Sequence, residues 1–357
     1  MATTHPAVGS AFPPVGVVSG SAFELIAELA AFASGPARPS LESGKTWIRE
    51  VRALAGVILI EHVERWGFAL YTELASIALE AGPPYEPAQL VDGLRALPAD
   101  VLRRRLLGAE SPPNRSMVSD GAFDRGLAGD VAARAELRRA LGLYPQARRA
   151  IDRLLTSTAE DVQTQISAIV EAWSTRVYPT FGDKARAVIA RDVEAKERLF
   201  ELLPGREALL TATNGIDLDP TTWATDIVVI PTVALRPFIA PGEVGSTLIV
   251  LSSVADDAFE ADASAPPRHL VKMAAAIGDE LRLRILHILA TEELTASEIA
   301  GRLGVERTSL HHHLGILRSA GLLTMHDAGS QGWRYSRRDA GLEDVATALA
   351  AYLVQDG

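Results

Sequence analysis

The chain has no cysteine among its 357 residues, which excludes a disulfide framework and any thiolate metal site. Histidine is sparse as well: of eight, only His5 and His62 precede residue 268, so little is available there for acid–base or metal chemistry. Aromatic residues make up 6% against 48% hydrophobic overall, an alanine- and leucine-rich balance that suits helices. No apolar run approaches the length of a membrane span; the run at 57–60 stops at Glu61. The first 20 residues have neither a basic start nor an apolar core, so no signal peptide is expected. Together these absences point to a soluble, cytoplasmic protein. With 35 basic and 45 acidic residues, a formal charge of −10, it is not a basic coat for nucleic acid.

What is present concentrates between residues 279 and 336. Asp279 can cap a helix whose apolar residues Leu281, Ile285, Leu286, Ile288 and Leu289 recur at helical spacing. Thr295 opens a second helix with Glu298 three positions on, the spacing of a capping box. Gly304 is placed to end that helix in a left-handed turn. A third helix starts near Arg307, with Leu310, Leu314 and Leu317 at i, i+4 and i+7. Residues 322–326 and 333–336 then alternate apolar and polar around a glycine-bearing loop, the pattern of a hairpin. Helix, tight turn, helix and ribbon in this order predict a winged helix-turn-helix, whose second helix normally lies in the DNA major groove.

Three pieces in sequence, Gly278-Asp279-Glu280-Leu281-Arg282, His312-His313-Leu314 and Ala320-Gly321-Leu322, followed by a wing ending Trp333-Arg334-Tyr335-Ser336, resemble the winged helix of the arsenical-resistance-repressor (ArsR) family of bacterial regulators. The resemblance spans residues 268–356. It implies a DNA-binding repressor in which flanking helices pair two subunits into a homodimer on an inverted-repeat operator. Metal-sensing members use a cysteine pair in the first helix of the helix-turn-helix, or carboxylates and histidines on the last helix. Here the first place reads Glu293-Leu294-Thr295-Ala296-Ser297 and the last helix has no histidine, so neither metal site is expected and no cofactor is implied.

A helix turns about 100° per residue. With Leu310 inward, His313, Leu314 and Leu317 share its side, while Thr308, His311, His312 and Gly315 face away and Arg307 and Arg318 flank them. The expected DNA contacts are Arg307, Thr308, Ser309, His311, His312 and Arg318, with Gln331 and Arg334 serving from the wing. Adjacent helical histidines point too far apart for His311, His312 and His313 to share one metal ion. His313 reads as a partly buried, hydrogen-bonded side chain rather than a reader. Between 302 and 338 six arginines face two carboxylates, a local positive excess. Two departures from the family pattern stand out: Glu306 sits where a small hydroxyl residue usually caps the reading helix, and the wing tip at 327–332 lacks arginine.

In chain order, residues 1–20 read as a flexible tail or an edge segment. Helical patterns follow at 21–34, 47–81 (one long or broken stretch, interrupted near Gly67), 87–96, 99–107, 131–141, 146–155, 159–178 and 184–203. After Trp223 the period changes: 227–230 and 247–251 are short β-type runs, with a third strand expected around 236–240. The fold class expected is therefore mainly α with small β elements. A helical domain over 21–255 is closed by a short sheet, residues 256–267 form a linker, and 268–357 are the winged helix-turn-helix. A stripe of Leu342, Val345, Ala346, Leu349 and Leu353 on the last helix suits a dimer face, or packing on the N-terminal domain.

Ser43-Gly44-Lys45-Thr46 ends like a phosphate-binding loop, but the first glycine position is Pro39 and the preceding segment reads as helix rather than strand. The N-terminal domain is far larger than a DNA reader needs. Trp47, Trp66, Trp173 and Trp223 can line an apolar pocket for a small-molecule effector, or they are core residues. The expectation is a non-enzymatic, nucleoid-associated regulator answering to an effector through its N-terminal domain. The alternative is an adaptor or enzyme-like module tethered to DNA by the winged helix.

Overall fold

Proline and glycine punctuate the elements. The computed structural model describes residues 12–34, 41–67, 70–142, 145–221, 223–259, 265–327 and 333–353, without the side chains of residues 145, 146, 307, 308 and 327. The chain opens with β1 (Val15–Val17), α1 (Ser21–Ala33), α2 (Gly44–Trp66) and α3 (Tyr71–Ala81). Pro87 starts α4 (Pro87–Ala96), where Glu86 and Gln89 form a capping box. Then come α5 (Ala99–Leu106), α6 (Pro112–Ser116), α7 (Ala122–Leu127), α8 (Val131–Leu141), α9 (Pro145–Thr156), α10 (Ala159–Arg176) and α11 (Tyr178–Leu202). α12 (Gly205–Ala212) and β2 (Ile216–Asp217) precede β3 (Asp226–Thr232), β4 (Ala240–Val244) and β5 (Thr247–Ser253). The C-terminal portion holds α13 (Arg268–Ile277), α14 (Glu280–Ile288), β6 (Leu294–Thr295), α15 (Ala296–Leu303), α16 (Arg307–Ser319), β7 (Leu323–Asp327), β8 (Trp333–Arg337) and α17 (Asp339–Leu353). The fold is mainly helical with small sheets, and none of the described helices is long and apolar enough to cross a membrane.

The chain divides into two units. One comprises Met1–Val193 with Thr221–Val254, the other Glu194–Pro220 with Ala255–Gly357. The segment from Glu194 to Pro220 thus groups with the C-terminal residues, because β2 joins the sheet of the wing.

In the first unit α1 is buried almost all round, as expected for a helix apolar on every face. Its own Phe23 and Phe32 are fully buried, as are Trp66 at the end of α2 and Trp173 on α10 in the same core. The sheet has the order β1-β3-β5-β4, with β1, β3 and β5 parallel and β4 antiparallel to β5. Residues 15–17 are therefore an edge strand. The strand expected around 236–240 begins only at Ala240. Before it, Val233 and Ala234 give their N–H groups to the Glu24 carboxylate at 2.9 and 3.0 Å, and Arg236 is buried against Glu42 at 3.0 Å. Within the span itself the Arg236 N–H donates to the Val233 carbonyl at 3.2 Å and the Phe238 N–H to the Leu235 carbonyl at 2.7 Å, so these amides are spent on tight turns rather than on a ladder. Gly67 ends α2 in a left-handed conformation, the break read near it, but a second break lies at Gly56 (φ 75°, ψ 166°). That conformation is open to glycine and costly for other residues, and Val57 and Ile58 just after it are exposed. Among the described residues the element that precedes Gly44 is α1, a helix, where a phosphate-binding loop follows a strand.

Two carboxylates on α1 lie inside this core. Burial pushes the Glu24 carboxyl up to about 7, against the pull of the Val233 and Ala234 amides. Glu28, which accepts from Trp173 Nε1 at 2.9 Å, is raised well above the ordinary value by burial, with the Glu24 charge adding to it. A carboxyl that keeps its proton when folded, but loses it near 4.5 when unfolded, stabilises the fold fully below that value. The contribution fades as pH rises towards the folded value. The unfolding midpoint of the first unit should accordingly fall as pH is raised from about 5 to about 7, with a shallower fall in Glu24→Gln. Equal slopes in the two proteins, followed by thermal unfolding at several pH values, would show that Glu24 plays no part.

Candidate nucleic-acid interface

The C-terminal unit is built from short capped helices on a small sheet. Asp279 caps α14, its carboxylate accepting from the Arg282 N–H at 3.0 Å, and that bond is the first reason its carboxyl sits below the usual range. Arg282 turns back to donate to the carbonyls of Ala275 and Ala276, both at 2.8 Å, closing the end of α13. Thr295 and Glu298 make the predicted capping box: Thr295 Oγ1 accepts from the Glu298 N–H at 3.3 Å, and Glu298 Oε2 accepts from the Thr295 N–H at 2.7 Å. Gly304 then leaves α15 at φ 66°, ψ 34°. Glu306 precedes α16 in an extended conformation and forms no side-chain cap.

Leu310, Leu314 and Leu317 of α16 are buried against Ile285, Leu286, Ile299, Leu322 and Tyr335. Their burial fixes the rotation of the helix and leaves Ser309, His311 and His312 exposed. A Cβ built on Gly315 meets nothing within 4 Å, so that position is open to a close approach. Arg307 and Thr308 occupy the first turn, and their side chains lie outside the described set. At the turn between α15 and α16, Ser297, Ala300, Gly301, Gly304, Val305 and Glu306 line an open depression of about 500 Å³.

Three expectations change. Arg318, placed at the edge of the reading face, is buried at 6% exposure. Helical arithmetic accounts for it: Arg318 follows Leu314 by four residues, only about 40° around the helix. His313 is partly buried, yet its Nδ1 stands 3.6 Å from Asp279 Oδ1, beyond hydrogen-bonding distance. Arg334 on β8 donates to the Glu293 carbonyl and lies 4.0 Å from Glu298 Oε2. It is held by the helix-turn-helix itself rather than extended towards a groove. Gln331 lies outside the described residues.

The local positive excess is also smaller in space than along the chain. Arg302 makes a two-bond pair with Glu292 at 2.7 and 2.8 Å, and Arg337 pairs with Asp339 at 2.6 Å. Both acidic partners lie outside residues 302–338 in sequence. Among the described residues no group of three His, Asp or Glu is placed to hold a metal ion. Of the tryptophans, Trp47, Trp66 and Trp173 are core residues of the first unit, Trp66 Nε1 donating to Gln165 Oε1 at 3.3 Å, while Trp223 is half-buried.

The sheet of this unit runs β2-β7-β8-β6. β7 and β8 form the antiparallel wing hairpin, β6 pairs with β8, and β2 lies parallel to β7 with Asp217 opposite His326. β2 was not foreseen; two residues carry too little pattern to be read as a strand.

Comparison with known proteins places the same segment. A family model described as a helix-turn-helix domain matches residues 277–326. The chain is 36% identical over 69 residues to the transcriptional repressor SdpR of Bacillus subtilis (strain 168), a match covering 19% of this chain and 76% of the relative. No solved structure matches.

Because the leucine seam sets the helix rotation, Leu314→Ala should destabilise the C-terminal unit by about 2–5 kcal/mol, while Ser309→Ala should stay within about 0.5 kcal/mol. Denaturant unfolding of the two variants measures both. Comparable losses would mean that Ser309 is not on an outer face.

Proposed function

This chain belongs to the helix-turn-helix transcription regulators, the family of the repressor SdpR, and on that premise we propose that it is an ArsR-type repressor binding an inverted-repeat operator as a homodimer. The observation that carries the reading is the division of α16, with Leu310, Leu314 and Leu317 locked into the core and Ser309, His311 and His312 turned outward at its N-terminal half. Arg307, Thr308, Ser309, His311 and His312 would meet base edges or phosphates, the arginine being suited to guanine. Arg318, which is buried, would have no part in this contact surface. Since Arg302, Arg334 and Arg337 have acidic or carbonyl partners nearby, the contribution of the wing would be small and the salt dependence modest.

A two-fold dimer would cover the exposed apolar residues Leu349 and Leu353 of α17 and Val271 of α13, the same residues on each copy. The first unit would respond to a small-molecule effector. Such a ligand acts only if it favours one spacing of the two reading helices over another. The setting would be cytoplasmic, on the nucleoid.

Arg307→Ala should weaken binding to the selected operator by about 1–3 kcal/mol and relax preference at one base position. Binding of the variant to a panel of duplexes differing at single positions provides the check. An equal loss on operator and random DNA would make Arg307 a phosphate contact, and no loss on either would remove it from the interface.

A further inference from the structure

The winged region does not hold its reading surface alone. Asn214, Gly215 and Asp217 precede it by some fifty residues of sequence, in the segment Glu194–Pro220 that belongs to the same unit. Asn214 Nδ2 points at the last carbonyls of α16, donating to Arg318 O at 3.3 Å and Ser319 O at 3.4 Å. These are two of the acceptors that a helix end leaves without intrahelical partners. Asn214 Oδ1 accepts from Arg338 Nη1 at 3.4 Å, from the residue just after β8. One amide therefore ties the end of the reading helix to the end of the wing.

The backbone then pairs with the wing itself. Met325 N–H donates to Gly215 O at 2.8 Å. Gly215 stands at φ 93°, and a Cβ there would come within 2.6 Å of the Leu323 carbonyl, so only glycine fits this approach. Asp217 completes the contact. Its carboxylate accepts from Arg206 through two bonds of 2.9 Å and lies 3.1 Å from His326 Nδ1 on β7. His326 Nε2 in turn lies 3.0 Å from Ser336 Oγ on β8. The order carboxylate, imidazole, hydroxyl is that of a nucleophilic triad. Here, however, an arginine holds the carboxylate, and Glu293 Oε1 lies 3.4 Å from the same Nε2 that meets the serine. The serine is also on an inner strand of the sheet. The row is a brace across three strands.

We propose that Asn214 and Asp217 are positioning residues for DNA reading, and that the segment Glu194–Pro220 is a strap fixing the reading helix and wing relative to each other. The inference rests on the regulator reading above. Its two ends continue in sequence into Val193 and Thr221 of the first unit, so a change there that pulls on the strap reaches the end of α16 and the wing through covalent bonds. Geometry held within a fraction of an ångström is what base reading requires, and the strap supplies contacts the winged segment lacks by itself.

The test uses the full chain and a short duplex selected by the wild-type protein from a random pool, with a scrambled duplex as control. Asn214 has φ 54°, so Asn214→Gly removes the amide without adding backbone strain, as alanine would. Asp217→Ala removes the brace, and Asp217→Asn retains an acceptor for His326. Binding is measured well below each variant's unfolding midpoint. Asn214→Gly and Asp217→Ala are expected to bind the selected duplex about tenfold more weakly and the scrambled one nearly unchanged, with Asp217→Asn recovering much of the loss. Wild-type-like affinity in both variants would overturn the strap, as would a loss that disappears once the variants are fully folded. A wild-type protein that binds no duplex would overturn the regulator reading itself, and the strap's role in reading with it.

Discussion

The C-terminal unit depends on one seam, the burial of Leu310, Leu314 and Leu317 of α16 against α14, α15 and the wing. Three side chains at helical spacing are enough to set the rotation of a rod, and rotation decides which residues meet solvent. The outward placement of Ser309, His311 and His312 follows from it. The caps at Asp279 and Thr295 serve the same end. They start each short helix at a defined residue, so that the seam is in register when the helices pack.

Much of this was legible because it rests on local chemistry. A Thr with Glu three positions on, a glycine closing a helix and leucines at i, i+4 and i+7 announce themselves in the chain, and the structure has each in place. What escaped depends on which side chains meet in the folded unit rather than on a repeating pattern along the chain. Arg318 looked like a flanking cation, yet it lies nearly over Leu314 and is buried. The positive excess between 302 and 338 is smaller in the folded unit, where Glu292, Glu298 and Asp339 lie beside Arg302, Arg334 and Arg337. β2 is two residues long, and only its pairing with β7 reveals it. In the first unit, helices such as α4 and α8 were readable from their prolines, caps and glycines. The break at Gly56 was not, since one glycine inside a helical pattern is usually tolerated.

The two units use polar groups differently. In the first, Glu24 and Glu28 sit inside the core, where each is stabilised by burial in its protonated form and Glu24 shapes the turn after β3. In the second, the polar network runs along the sheet from Arg206 through Asp217 and His326 to Ser336. It ties sequence-distant strands together beside the reading helix. Stability in one place and orientation in the other are thus carried by hydrogen-bonded side chains that composition alone does not single out.

The central claim is that the outward face of α16 meets base pairs. It is tested most directly by placing a photoreactive side chain at position 312 of the full chain, in place of the exposed His312, and irradiating the protein on its selected duplex. The account predicts crosslinks to bases from the major-groove side. Crosslinks to protein alone, while the duplex remains bound, would contradict it.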